Sequence, residues 1–290
     1  MTDRSLSRRT VLKTGAGAVA AGVTASLAGC SAIPGFGDDG NQGSKEIQDW
    51  AFEPGEIGNQ DSYRARYQNY GSIRDNEDEF DSEYFDRVES QYESRYGDRL
   101  DIDFEDADWQ VRLGQAQVLS ADHTVEDVVD HLEDEFDYEE DDDDVDGYTT
   151  IVGPNERDGY AADGSTVLHV RVSEDVADAL EDLIATQNGD IDMWADEEED
   201  FSEAVTNVSG DVASAGIGGF AEDVVASGSS ATFDGETTQQ QFVRVYEEED
   251  DIDKEEIREA VEDEDDASVS FNGRVVVFEG ETDTDEYGVA

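Results

Sequence analysis

Asp142, Asp144, Asp146 and Gly147 stand at the D-x-D-x-D-G spacing that opens an EF-hand calcium loop. Oxygen ligands on alternate residues, with glycine at the sharp turn, suit a hard cation. The last position of such a loop needs a bidentate Glu, and here it holds Gly153. Thr149 stands where the loop normally packs an aliphatic side chain. A solvated acidic loop between a helix and a strand is therefore the favoured reading. Ca2+ at Asp142, Asp144 and Asp146 remains the one cofactor the sequence offers.

Other reactive groups are few. His123, His131 and His169 form neither an H-E-x-x-H nor an H-x-x-x-H pair, so no transition-metal site follows from their spacing. His123 precedes a helix cap, His131 lies beside an apolar helix stripe, and His169 alternates on a strand with Leu168 and Val170. Boundary packing is expected of each. No G-x-S-x-G elbow is present, although a Ser-His-Asp triad is defined by geometry and hides from spacing. A glycosidase-type carboxylate pair cannot be singled out among 78 acidic residues. No catalytic residue is assigned. Asn207-Val208-Ser209 is an N-x-S sequon, which makes Asn207 a candidate glycosylation site.

The single cysteine closes Leu27-Ala28-Gly29-Cys30, which resembles the lipobox of exported lipoproteins. Upstream, Ser7-Arg8-Arg9-Thr10-Val11-Leu12-Lys13 has the twin-arginine form, a receptor-read export address. The weakly apolar stretch from Thr14 to Ala28 is too short to span a bilayer and reads as a signal h-region. Residues 1–30 are thus assigned as a lipoprotein signal, with Cys30 lipidated at the outer face of the membrane. The two-chain ether lipid that the resemblance implies anchors stably where one chain is marginal. A lone cysteine also excludes a disulfide framework.

The chain holds 78 Asp and Glu against 18 Lys and Arg, a formal net charge of −60. The acids interleave with apolar periodicity along the whole length. That is the pattern of a folded protein built for molar salt, not of a disordered acidic tail. At about 1 M salt the Debye length is roughly 3 Å, so self-repulsion is screened while carboxylates hold hydration water. Such a surface repels nucleic acid, which is excluded as a partner. The membrane, through Cys30, is the partner the sequence names.

These residues need elements to position them. Residues 31–45 are rich in Gly, Asp and Pro and read as a tether. Tyr63–Tyr67 alternates as a strand. Phe80, Tyr84, Val88 and Tyr92 predict a helix from Asp81 to Tyr96, ended by Gly97. One or two strands are predicted across Trp109–Leu119, and single strands across Gly147–Val152 and Thr166–Val172. Helices follow Thr124, with Asp127 three residues later in a capping-box-like arrangement, and Ser173. Later come a helical turn at Phe201–Val205, strands near 211–217, 229–233 and 240–246, and a helix at Asp253–Val261. A hairpin over Asn272-Gly273 and a polar tail at 281–290 close the chain. EDVVDHLED at 126–134, EDVADALED at 174–182 and EEIREAVED at 255–263 suggest a strand-helix-strand-strand repeat, although any acidic amphipathic helix patterns this way. The expected fold is α+β: antiparallel sheets with helices packed on one face. It forms one domain or two similar modules, 46–190 and 191–280.

The chain resembles a broad group of haloarchaeal twin-arginine lipoproteins of unknown function. The leader carries the resemblance, with Trp50, Pro54, Val118-Leu119-Ser120-Ala121-Asp122 leading into Val125-Glu126-Asp127-Val128, Gly147-Tyr148, Val167–Val172 and Asp200-Phe201. It implies an exported α+β module and supplies no catalytic residue. Ser120-Ala121-Asp122-His123 departs from the Gly-containing turn common in that group. The expected function is a non-enzymatic binding or interaction module at the cell envelope. The alternatives are an extracellular hydrolase with a carboxylate pair or hidden triad, and a calcium-dependent module.

Overall fold

The computed structural model describes residues 42–58, 60–141, 144–172, 175–218, 223–262 and 267–288. Arg8, Arg9, Cys30, Asp142, Ser173 and Phe220 lie outside the described residues.

Strand β1 (Arg64–Asn69) sits mid-sheet between β2 (Ala107–Leu113) and β8 (Val212–Ile217), antiparallel to both. From β2 the sheet runs outward through β3 (Ala116–Ala121), β7 (Thr166–Arg171), β6 (Asp158–Ala162), β5 (Thr149–Val152) and β4 (Glu139–Glu140). From β8 it runs through β9 (Val224–Asp234), β10 (Thr237–Tyr246), β12 (Val275–Asp283) and β11 (Ala267–Asn272). The result is one sheet of 12 antiparallel strands among the described residues. The fold class is α+β, with strands from both halves of the sequence meeting at the β1–β8 ladder.

Eight helices are labelled: α1 (Gln42–Trp50), α2 (Tyr70–Asp75), α3 (Ser82–Tyr92), α4 (Val125–Phe136), α5 (Val176–Asn188), α6 (Trp194–Glu197), α7 (Glu199–Thr206) and α8 (Lys254–Val261). They pack against both faces of the sheet, not one. The cause is visible in β3 and β7, where Val118-Leu119 and Val167-Leu168 place apolar residues on both sides of a pleated strand. Val118 and Leu168 join the core under α1, α5 and α7. Leu119 and Val167 join a second core under α3 and α4, an aromatic one with Tyr84, Tyr92 and Phe104. The first two copies of the repeated helix pattern, α4 and α5, therefore lie on opposite faces.

Several boundaries differ from expectation for local reasons. Gly97 does not end α3: the chain passes through a π turn at Glu93–Gly97 into a further turn at Asp98–Leu100, and Asp101 stops it at φ 55°. The cap of α5 is Asp175 at φ 49°, and its side chain makes no capping bond. Thr124 caps α4 as expected, accepting from the Asp127 amide at 3.2 Å. Helix α1 starts at Gln42, inside the span read as tether, because Ile47 and Trp50 bury against the sheet. Residues 281–288 are not a polar tail. Strand β12 continues to Asp283, and Tyr287 is buried against Tyr84 and Phe233. Strand β6 was not foreseen, since Asp-Gly-Tyr-Ala-Ala carries no alternation, yet all five of its residues are buried.

Candidate functional site

One register row crosses seven neighbouring strands on the second face, from β9 to β6. Reading across the ladders, Ser229 of β9 pairs with Ser214 of β8, then Arg66 of β1, Arg112 of β2, Gln117 of β3, His169 of β7 and Tyr160 of β6. Directly paired residues share a face, so this row forms a polar belt beneath the π turn of α3. No residue pattern within one strand reveals it, because each strand contributes a single member.

The belt is closed at its β6 end. Asp158 neighbours Tyr160 on the same face and accepts from His169 Nε2 at 2.6 Å, the Tyr138 hydroxyl at 2.7 Å and Arg99 at 2.9 Å. Arg171 adds a looser contact at 3.4 Å. Burial would raise the Asp158 pKa, but the bonds from His169 and Tyr138 and the Arg171 charge hold it well below the usual carboxylate range. Tyr160 stacks on the His169 ring at 4.5 Å, and Arg99 lies over Phe136 at 4.7 Å. Every polar group at this end has a partner.

A chain of side chains leads from there back to β1. Gln117 Nε2 lies 3.1 Å from His169 Nδ1. The Tyr96 hydroxyl, on the π turn, lies 3.0 Å from the side-chain amides of both Gln117 and Gln110. Gln110 bonds Gln68 at 3.0 Å. A phenol has one proton, so Tyr96 donates to one of these two amide oxygens at a time. With the His169 proton on Nε2 toward Asp158, Gln117 Nε2 donates to His169 Nδ1, and at the β1 end Gln110 Nε2 donates to Gln68 Oε1.

The β1 end is open. Arg66 faces Arg112 across the β1–β2 ladder, and Arg95 approaches both from the π turn. Burial and Arg95 lower the Arg66 pKa. Burial, Arg95 and Arg66 act the same way on Arg112. Two neighbouring polar atoms, Arg112 Nε and Ser214 Oγ, are buried with no hydrogen-bond partner in the protein. Arg64, one pleat along, donates to Ser227 Oγ at 2.6 Å.

The residues singled out from sequence lie elsewhere, His169 excepted. Asp144 accepts from Thr149 at 3.2 Å, and Asp146, at φ 50°, accepts from Asn188 at 2.9 Å. Their carboxylates thus turn to different partners. Among the described residues no group of three or more His, Cys, Asp or Glu is placed to hold a metal. His123 bonds the Ala121 carbonyl at 3.0 Å, and His131 packs on Phe136. The Asn207 amide donates to the Glu203 carbonyl at 2.9 Å, which ties the sequon to the end of α7. The arginine group was missed because Arg64-x-Arg66 reads locally as an ordinary amphipathic strand.

No family model matches the chain, and no curated protein matches it. Solved structures that resemble it include those of TP0453. Crystal form III aligns at TM-score 0.47 and 10% identity over 81% of this chain and 95% of that one. Crystal form I aligns at TM-score 0.46 and 11% identity over 81% and 94%. No helix among the described residues is long and apolar enough to cross a membrane.

Proposed function

We propose that this chain is an exported surface lipoprotein of a salt-loving archaeon, held to the outer face of the membrane by lipid on Cys30, and that its folded body is a binding module without catalytic chemistry. The observation that carries the binding reading is the contrast between the two ends of the polar belt. His169 has Asp158 on one ring nitrogen and Gln117 on the other, so the group best suited to general-base work acts as a strut. Arg66, Arg95 and Arg112 are half-buried and have no carboxylate ion pair among the described residues, in a chain of net charge −60. With acids so plentiful, arginines held apart from them favour an external partner over a structural pairing.

Anchor and binding are separately testable. Cys30→Ser should move the protein from the membrane fraction to the medium, and Arg8→Lys with Arg9→Lys should block export. Normal processing and membrane retention of the Cys30→Ser protein would overturn the anchor. A pull-down with the mature protein in molar salt should recover a partner or ligand that is lost on replacing Arg66.

A further inference from the structure

We infer that Arg66, Arg95 and Arg112, with Ser214 and the Gln68–Gln110 pair beside them, form a binding site for a phosphate or sulfate group. The inference rests on the binding-module reading and names its ligand class.

Like charges directly opposite on a sheet destabilise it, and Arg66 and Arg112 are direct partners. A folded chain keeps such a pair at a cost unless an anion completes it. Buried polar atoms are almost always satisfied, so each exception calls for an explanation. Here the unpartnered Arg112 Nε and Ser214 Oγ flank Arg66 on either side in the same row, and both are donors. Ser214 is fully buried. One acceptor-rich group seated on Arg66 accounts for both atoms and for the charge pair. Arg95 comes from a π turn, a distortion frequent at functional sites. The same turn plants Tyr96, the next residue, on Gln110.

The chemical class follows from the donors. Guanidinium groups present planar forks that match oxyanions in bidentate fashion. At about 1 M salt the Debye length is roughly 3 Å, so long-range attraction is lost and only contact hydrogen bonds select the ligand. A tetrahedral oxyanion offers an oxygen to each of three arginines approaching from two strands and a helix, whereas a halide offers one centre and no fork geometry. The group could arrive on a lipid head or as a free or sugar-borne ester, and the chemistry recognised is the same.

The test uses the mature chain in about 1 M KCl, where surface electrostatics are screened. Inorganic phosphate and sulfate are titrated calorimetrically into wild type, Arg66→Gln, Arg66→Lys and Arg112→Gln, with citrate as a carboxylate control. Cosedimentation with vesicles of a phosphate-headed anionic lipid separates a headgroup from the free ion. Saturable binding of phosphate, sulfate or the vesicles at one site per chain, weakened at least tenfold in all three variants, is expected. Melting temperatures without ligand should be equal to or above that of wild type in the Gln variants, because a like-charge contact has been removed. Variants that melt several degrees lower, with unchanged phosphate and vesicle binding, would show the arginines to be structural and overturn the site. Arginine-dependent binding of citrate alone would overturn the ligand class and leave the binding-module reading standing. No arginine-dependent binding by any probe, with a partner still recovered in the pull-down, would overturn the site without touching that reading.

Discussion

His169 and Asp158 are joined at 2.6 Å across the β7–β6 ladder, and that bond closes one end of a polar row that also carries the facing pair Arg66 and Arg112. Along the row, the groups around Asp158 are hydrogen-bonded to one another, whereas Arg112 Nε and Ser214 Oγ are buried with no hydrogen-bond partner in the protein.

Asp158→Asn should destabilise the protein by about 3 kcal/mol at neutral pH, since it strips a buried carboxylate from Arg99, Tyr138 and His169. The folded-state pKa of Asp158 lies below its unfolded value, so its contribution is fully present above the ordinary carboxylate pKa. It is lost as pH falls from there toward the lower folded value. Denaturant melts of both proteins should therefore converge below about pH 4. An equal gap at pH 7 and pH 3 would contradict the assignment.

Tyr96→Phe should cost about 1–2 kcal/mol, because the buried phenol links the buried Gln110 amide to the half-buried Gln117 amide and both lose a partner together. Chemical denaturation reads this directly. A loss that vanishes once Gln110 is also replaced by an apolar residue would confirm that the amides, not the ring, carry the effect.

Tyr287→Ala should destabilise by about 3 kcal/mol through loss of a buried aromatic packed on Tyr84 and Phe233. Truncation at residue 281 should do at least as much. An unchanged melting temperature after truncation would restore the view of this segment as a solvated tail.

Gly210→Ala should cost more than about 1 kcal/mol, the usual scale of a strained backbone position. Gly210 has φ 155°, and an added Cβ would lie 2.5 Å from the Ala231 carbonyl oxygen. Backbone cannot yield as a side chain can, so the β8–β9 ladder would have to open. Amide exchange at Asp211 and Ala231 is the sensitive readout.

Much of the fold was legible because its signals are local. Thr124 with Asp127, the aromatic spacing of α3 and the alternation of β1 each lie within a few residues. The hairpin over Asn272-Gly273 is also present, with Gly273 at φ 59° and the loop shifted one residue so that Asn272 faces Val275. What escaped was set by tertiary neighbours. Strand β6 has no alternation because α5 covers one side of it and Arg99 the other, with Gly159 tight against Leu180 and Val176. The stop at Gly97 failed because Tyr96 and Leu100 bury on either side of it. Of the candidate site, only His169 was singled out in advance, and only its direction on the strand was readable. The arginine group is assembled from β1, β2 and the π turn after α3, so no linear spacing encodes it.

The position of β1 has a consequence for how the chain reaches this structure. Its first partner follows after one helical excursion, but its second is supplied only once Val212 is available, and the Arg64–Ser227 bond spans 163 residues. Non-local pairing of this kind makes folding slow. Until β8 docks, β1 is a bare edge able to template association with other chains. Refolding should accordingly be slow and concentration-sensitive, and a fragment ending before β8 should aggregate. A route that moves the molecule only after its last strands are in place would spare it that hazard.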